Sequence, residues 1–327
     1  MATAALYNAH RAREVERDNP PTGRFVTVDG VRLHYIERGA GPPVVLLHGN
    51  VVSAGDFVWS GLVDRLAARH RVIAIDRPGY GYSDRPDGSL WTAAEQARLL
   101  GKAFSRLGIE RPVVVGHSWG ALVALELALN HPDAVGSLVV LAGYYALTPR
   151  LDAPLAAAPA VPVIGDVLRY TVSPLLGAAL LPLTLKAMFA PRPVPPRFSR
   201  GFPHGFAVRP GQIRAEAQDA ATMMPSAAAM RHRLGSLSLP VVIMAGTEDR
   251  IVDPESHARW LHEVVPGSDL RLVPDTGHMI HHAVPEMVAE AIETASARLS
   301  VHAGDVRTRS GSRDGGLSEA GFRHDLT

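Results

Sequence analysis

Five consecutive residues, Gly116-His117-Ser118-Trp119-Gly120, constrain this chain more than any other feature. They follow the apolar run Val113 to Val115 and precede a helix-forming stretch from about Gly120 to Asn130. A serine at a sharp strand-to-helix turn must hold a strained backbone, so the residues two places to either side must lack side chains that would clash. Gly116 and Gly120 meet that demand. The motif therefore predicts a strand, Val113 to Val115, running into a sharp turn at Ser118, with a helix starting directly behind it. The free N–H groups and positive dipole end of that helix suit a developing negative charge.

The rest of the pattern agrees with a layered α/β fold. Phe25 to Val28 and Val31 to Ile36 flank Asp29-Gly30, a hairpin turn signal. The continuous apolar run Pro43 to Leu47 reads as a strand buried on both faces and Val72 to Ile75 as another buried strand, with further strands at Ser137 to Leu141, Val241 to Ala245 and Leu270 to Val273. Helical patterns fall between them, at Gly61 to Arg69, Trp91 to Leu107, Ser256 to Val264 and Val284 to Leu299. The second opens with Thr92 followed three residues later by Glu95, a capping-box signature. Strand and helix in alternation imply a mostly parallel sheet, here of eight strands, with helices on both faces. The alternation stops at Gly143 and resumes at Leu239. The predicted organisation is an N-terminal extension over 1–23, a core of 24–143 and 239–299, a helical cap over 144–238 after the sixth strand, and a disordered tail over 300–327.

A serine hydroxyl is a weak nucleophile until a base takes its proton, and that base needs a carboxylate to orient it. Asp249 follows the strand Val241 to Ala245, and His278 follows Leu270 to Val273, so both belong to the sheet edge that carries Ser118. Ser118, Asp249 and His278 are the expected catalytic residues, with Glu248 as the local competitor for the acid. Two N–H donors are expected to receive the oxyanion, those of Trp119 and of Asn50 in His48-Gly49-Asn50. His48 reads as a brace for its loop. Asp76 to Asp84 (DRPGYGYSD) mixes carboxylates, arginines and glycines, but its glycine spacing is not that of a phosphate loop, and it reads as a shaped structural loop. His281 and His282 read as the start of a helix.

Composition excludes several chemistries. Cysteine is absent, which removes thiolate nucleophiles, disulfides and cysteine-ligated metals. The 33 basic and 32 acidic residues give a net charge of +1, with only Lys102 and Lys186 as lysines, so nucleic acid is not an expected partner. The histidines lack ligand spacing, so no metal is expected, and no phosphate loop calls for a nucleotide or other cofactor. The first twenty residues carry charges where an export signal needs an apolar run, and a cytoplasmic location is expected. Val172 to Ala190 approaches the length of a bilayer span, but Pro174, Pro182 and Lys186 interrupt it, and a span is not expected.

From Phe25 to Leu299 the chain resembles the α/β-hydrolase fold superfamily, through HGN at 48–50, DRPGYGYS at 76–83, GHSWG at 116–120, GTEDRIV at 246–252 and GH at 277–278. The HGN and GH-x-WG motifs look like the haloalkane dehalogenase and epoxide hydrolase branch, whose enzymes use an aspartate nucleophile. Serine there cannot form the alkyl-ester intermediate that displaces halide or opens an epoxide, so the resemblance implies a serine hydrolase. Asn50 matches a position that helps hold halide in the dehalogenases. Met279 stands where plant hydroxynitrile lyases carry a lysine, which counts against that activity. The expected substrate is a small, neutral, apolar ester cleaved through an acyl-enzyme. Tyr144, Phe189, Met223 and Met224 are the candidate pocket residues, together with Trp119, each of which could instead be packing. The alternatives are a cofactor-free perhydrolase, a proline iminopeptidase served by Glu216 and Asp219, a carbon–carbon bond hydrolase, a lactonase, or a binding protein on the same fold.

Overall fold

The computed structural model describes residues 2–148 and 156–311 of the 327-residue chain. Eight strands form one sheet: β1 (Arg24–Val28), β2 (Val31–Arg38), β3 (Pro43–Leu47), β4 (Arg71–Ile75), β5 (Val113–His117), β6 (Ser137–Leu141), β7 (Val241–Gly246) and β8 (Asp269–Val273). Their spatial order is β1-β2-β4-β3-β5-β6-β7-β8. The hairpin β1–β2 and the β2–β4 pair are antiparallel, and every pairing from β4 to β8 is parallel. The chain is thus an α/β protein with an eight-stranded, mostly parallel sheet.

Successive side chains of a strand point to opposite faces, and this period sorts the core into two layers. Val45 and Leu47 of β3, Leu138 and Val140 of β6, and Ile243 of β7 join the helices Ala93–Arg106 and Trp119–Asn130 on one face. Val44, Leu46, Val139, Leu141, Val242 and Met244 pack on the other face with Leu62, Leu66 and Ile292. Burial of both faces explains why these strands read as continuous apolar runs. Thr92 caps its helix as expected, with its hydroxyl accepting from the Glu95 N–H at 3.2 Å.

Between β6 and β7 the described residues carry helices at Ile164–Tyr170, Val172–Phe189, Pro196–Gly201, His204–Ala207 and Pro210–Met230. This helical cap meets the core through a third apolar cluster, in which Leu181, Leu185, Met188 and Phe189 pack with Val52 and Met279. The N-terminal extension includes a helix, Ala2–Asp18, that no periodicity announced. It is pinned to the cap by Asn8, whose buried amide donates to the carbonyls of Tyr170 (2.9 Å) and Thr171 (3.1 Å). The last helix, Pro285–Gly311, runs beyond Leu299, so residues 300–311 are helical where a disordered tail was expected. Adding a residue to an established helix costs far less than starting one. The remainder of that tail lies outside the described residues.

Candidate active site

β5 lies between β3 and β6, and its carboxyl end delivers Ser118 in a backbone conformation of φ 53°, ψ −120°. The flanking glycines are required by contact. A Cβ on Gly116 would stand 2.5 Å from the Gly120 carbonyl oxygen, and one on Gly120 would stand 2.3 Å from that of Leu47. The Ser118 N–H donates to the Leu141 carbonyl at 2.9 Å, which ties the turn to β6.

Three side chains from three loops meet at this turn. His278 Nε2 lies 2.9 Å from Ser118 Oγ, and its Nδ1 lies 2.8 Å from Asp249 Oδ2. A carboxylate only accepts, so Nδ1–H donates to Asp249 and Nε2 is left bare to accept the serine hydroxyl. The other oxygen of Asp249 accepts the N–H groups of Ile251 (2.8 Å) and Val252 (3.0 Å), which fixes the carboxylate's orientation. Asp249 and His278 are buried and Ser118 is half-buried. Glu248, the competitor, is exposed and contributes only its backbone N–H, to the Thr276 carbonyl.

The loop after β3 lies directly against the serine: a Cβ on Gly49 would stand 3.0 Å from the Ser118 Cβ. His48 braces this loop. Its Nδ1–H donates to the Gly49 carbonyl (2.7 Å), and its bare Nε2 accepts the Arg77 N–H (3.0 Å). Complete burial, with the Arg77 charge nearby, lowers its pKa to about 4, so the ring is neutral near pH 7. Asn50 Oδ1 accepts from Arg77 Nη2 (2.8 Å) and the Tyr80 hydroxyl (2.9 Å).

Those contacts belong to a buried charge cluster that absorbs the loop Asp76 to Asp84. Asp219, on the cap helix Pro210–Met230, pairs with Arg77 Nη1 at 2.6 Å and Arg85 Nη2 at 3.0 Å, and also accepts from Tyr80 and Gln96. Arg77 further donates to the carbonyls of His48 and Gly49. One carboxylate therefore ties the cap to the loop beside the serine. Burial alone would lower the Arg77 pKa, but Asp219 outweighs it and holds the guanidinium above its usual value. The sequence placed Asp219 in the cap without revealing these partners.

The candidate pocket residues fall in different surroundings. The Trp119 ring is buried, stacks under the Arg77 guanidinium (4.8 Å) and donates its indole N–H to the Asp219 carbonyl at 3.0 Å. Tyr144 packs in the main core against His257 and donates its hydroxyl to the Thr148 carbonyl. Both side chains are buried with their polar atoms paired. Phe189 lines a cavity of about 280 Å³ with Gly277, Met279 and His282, on the loop that carries His278. Met223 packs half-buried against the core, and Met224 is exposed. A larger cavity of about 490 Å³ is lined by residues such as Glu16, Tyr82 and Arg209 and not by Ser118.

A row of histidine rings runs from His278 through His117 and His281 to His282, with successive centroids 4.6 to 4.9 Å apart. Sequence reasoning missed its function. His117 donates Nε2–H to the His278 carbonyl at 3.0 Å, and burial, reinforced by His281 and His278, drives its pKa well below the usual value. His281 and His282 each hold an oxygen of Asp56 at 2.7 Å. Burial pushes the Asp56 carboxyl up, but the two histidines outweigh that and keep it ionised. These three side chains also lie close enough together to hold a metal ion. Separations of 2.7 Å, however, are those of N–H···O hydrogen bonds, which fully account for the grouping. The cluster fastens the chain just after His278 to the segment after β3, and the His278 carbonyl to β5.

Glu216 sits one helical turn from Gln212, whose amide donates both to Glu216 Oε1 (3.1 Å) and to the Val51 carbonyl (2.8 Å) beside Asn50. Burial, helped by the Asp219 charge and partly offset by the Gln212 bond, raises its pKa from 4.5 to about 7. An acid whose folded pKa is raised retains a proton that the unfolded chain has lost, so it costs stability as pH climbs from about 4.5 to about 7. Glu216→Gln is therefore expected to gain about 2 kcal/mol on the wild type between pH 5 and pH 8. Urea unfolding at the two pH values measures this; parallel pH profiles would contradict it.

The sequence profile of the alpha/beta hydrolase fold family matches residues 42–283, and the chain belongs to that family. It is 29% identical over 266 residues to haloalkane dehalogenase 2 of Mycobacterium tuberculosis, covering 80% of this chain and 90% of that protein. It is 28% identical over 269 residues to a 2-hydroxy-6-oxo-2,4-heptadienoate hydrolase of Pseudomonas putida, covering 80% and 91%. Among solved structures, an esterase from Exiguobacterium antarcticum superimposes with a TM-score of 0.65 at 23% identity, over 84% of this chain and 98% of that one, a likeness of fold. The protein is a hydrolase of the α/β-hydrolase family.

Proposed function

We propose that this protein is a serine hydrolase that cleaves neutral, apolar carboxylic esters through an acyl-enzyme intermediate. The observation that carries the proposal is the hydrogen-bonded row from Ser118 Oγ through His278 to Asp249, with separations of 2.9 and 2.8 Å. Ser118 Oγ attacks the ester carbonyl as His278 Nε2 takes its proton, and Asp249 stabilises the imidazolium that forms. The N–H of Trp119 at the helix start and that of Asn50 receive the oxyanion. His278 then hands the proton to the departing alkoxide. Water repeats the sequence on the acyl-enzyme and releases the acid.

Chemistry separates this reading from the relatives' activities. The dehalogenase resemblance does not carry halide displacement here, because an ether formed on Ser118 could not be hydrolysed as an ester can. The apolar cap cluster beside Met279 and Val52 supports an uncharged substrate. The test is a panel of p-nitrophenyl esters of graded acyl length, with a lactone, a prolyl anilide, a dienoate of the kind named for the Pseudomonas putida relative, and bromination with acetate and peroxide. Fastest turnover of the esters supports the proposal. Turnover confined to any of the other substrates would replace it.

A further inference from the structure

A helix that is apolar on every side is normally buried in a protein core or in lipid. The helix Val172–Phe189 is apolar apart from Ser173, Thr184 and Lys186, yet less than a third of it is buried. Its buried stripe is Pro174, Leu181, Leu185, Met188 and Phe189. Val172, Leu175, Leu176, Leu180 and Leu183 on its other sides are exposed. The preceding helix Ile164–Tyr170 and its N-cap residue continue the surface with exposed Ile164, Val167 and Val163, and more than half of all exposed large apolar side chains among the described residues fall between Val161 and Leu183.

The charge pattern of the same segment is one-sided. From Val167 to Ala215 there are seven arginines and lysines and no aspartate or glutamate, in a chain whose net charge is +1. Arg169, Arg197, Arg209 and Arg214 pair with carboxylates, those of Asp166, Asp64, Glu16 and Asp87. Lys186, on the apolar helix itself, and Arg200, on the helix Pro196–Gly201 that follows it, are exposed.

We propose that this face of the cap docks in the plane of an anionic lipid bilayer, with Leu175, Leu176 and Leu183 entering the acyl boundary and Lys186 and Arg200 meeting the headgroups. Apolar side chains backed by basic ones are the recognised chemistry of such surfaces. The helix lies along the bilayer and does not cross it, because its inner stripe is packed on Val52 and Met279. A second copy of the chain is the other occupant such a face could take, and the vesicle test separates the two. The inference stands on exposure and charge and is independent of the ester reading.

The test is flotation of the full chain with vesicles of phosphatidylglycerol and phosphatidylcholine, against vesicles of phosphatidylcholine alone. The expected result is binding to the anionic vesicles at least about tenfold stronger than to the neutral ones, and weakened by salt. Leu175→Asp with Leu183→Asp is expected to weaken it about tenfold or more, and Lys186→Glu with Arg200→Glu to abolish the preference for anionic lipid. The charge-reversed protein keeps the test decisive if the aspartates lower the melting temperature. Failure of the wild type to float, equal binding to both vesicles, or a lipid-indifferent dimer that Leu175→Asp with Leu183→Asp converts to monomer would overturn the proposal.

Discussion

Replacing Ser118 with alanine is expected to lower kcat on the best ester of the panel by about 10^5-fold. The hydroxyl is the only atom removed, and in the proposed mechanism it is the one that forms the new bond to the substrate carbon. Some catalysis over water should remain, because the Trp119 and Asn50 N–H groups still receive an oxyanion. His278→Ala should cost a similar factor, and the double variant little more than either single one, since the two side chains act as one unit. The fold should hardly change. Ser118 sits at positive φ whether it carries a hydroxyl or not, and the strain is sustained by Gly116, Gly120 and the bond to Leu141. Initial rates and thermal melts of the three variants measure this. Ser118→Ala activity within tenfold of wild type would contradict it.

Asp219→Ala is expected to cost about 3–5 kcal/mol of stability, a large part of the 5–15 kcal/mol that a domain typically has. Arg77 is fully buried and Arg85 nearly so, and both depend on this carboxylate for charge balance. After its removal Arg77 keeps only neutral acceptors, chiefly the carbonyls of His48 and Gly49 and the side-chain oxygens of Asn50 and Gln96. Tyr80 loses an acceptor as well. A guanidinium left in that state costs far more than a severed surface pair. Asp219→Asn, which keeps acceptor oxygen but not charge, should fall between alanine and wild type. Activity should drop along with stability, because Arg77 holds the loop that sets Gly49 against Ser118. Urea unfolding and kcat/KM measured on the same samples check both effects; a loss below about 1 kcal/mol would show that the cluster relaxes without its carboxylate.

What could be read from the sequence was what local sterics and periodicity encode. The inner parallel strands announce themselves because both faces of each are buried, whereas the edge strand β8 is only half-buried, and Ser118 announces itself because only glycine tolerates the contacts on either side of it. Asp249 and His278 follow from position, each just past a strand end on the edge that holds the serine. The long-range partnerships were invisible: His281 to Asp56 spans 225 positions, and Arg77 to Asp219 spans 142. No spacing rule links such residues, so the histidine pair read as a helix start and the loop Asp76 to Asp84 as shape alone. The helix Ala2–Asp18 escaped for a related reason, since its anchor is a side-chain amide, that of Asn8, on two cap carbonyls. Pocket lining was the least legible feature, because the same apolar side chain serves a core or a cavity, and Trp119 and Tyr144 are both buried in the main core cluster.

The most direct test of the account is intact-protein mass spectrometry after treatment with a fluorophosphonate, which leaves a stable phosphonyl group on an activated serine. One adduct per chain is predicted, located by peptide mapping on Ser118 and lost in His278→Ala. An adduct elsewhere, or undiminished esterase activity with Ser118 unmodified, would contradict it.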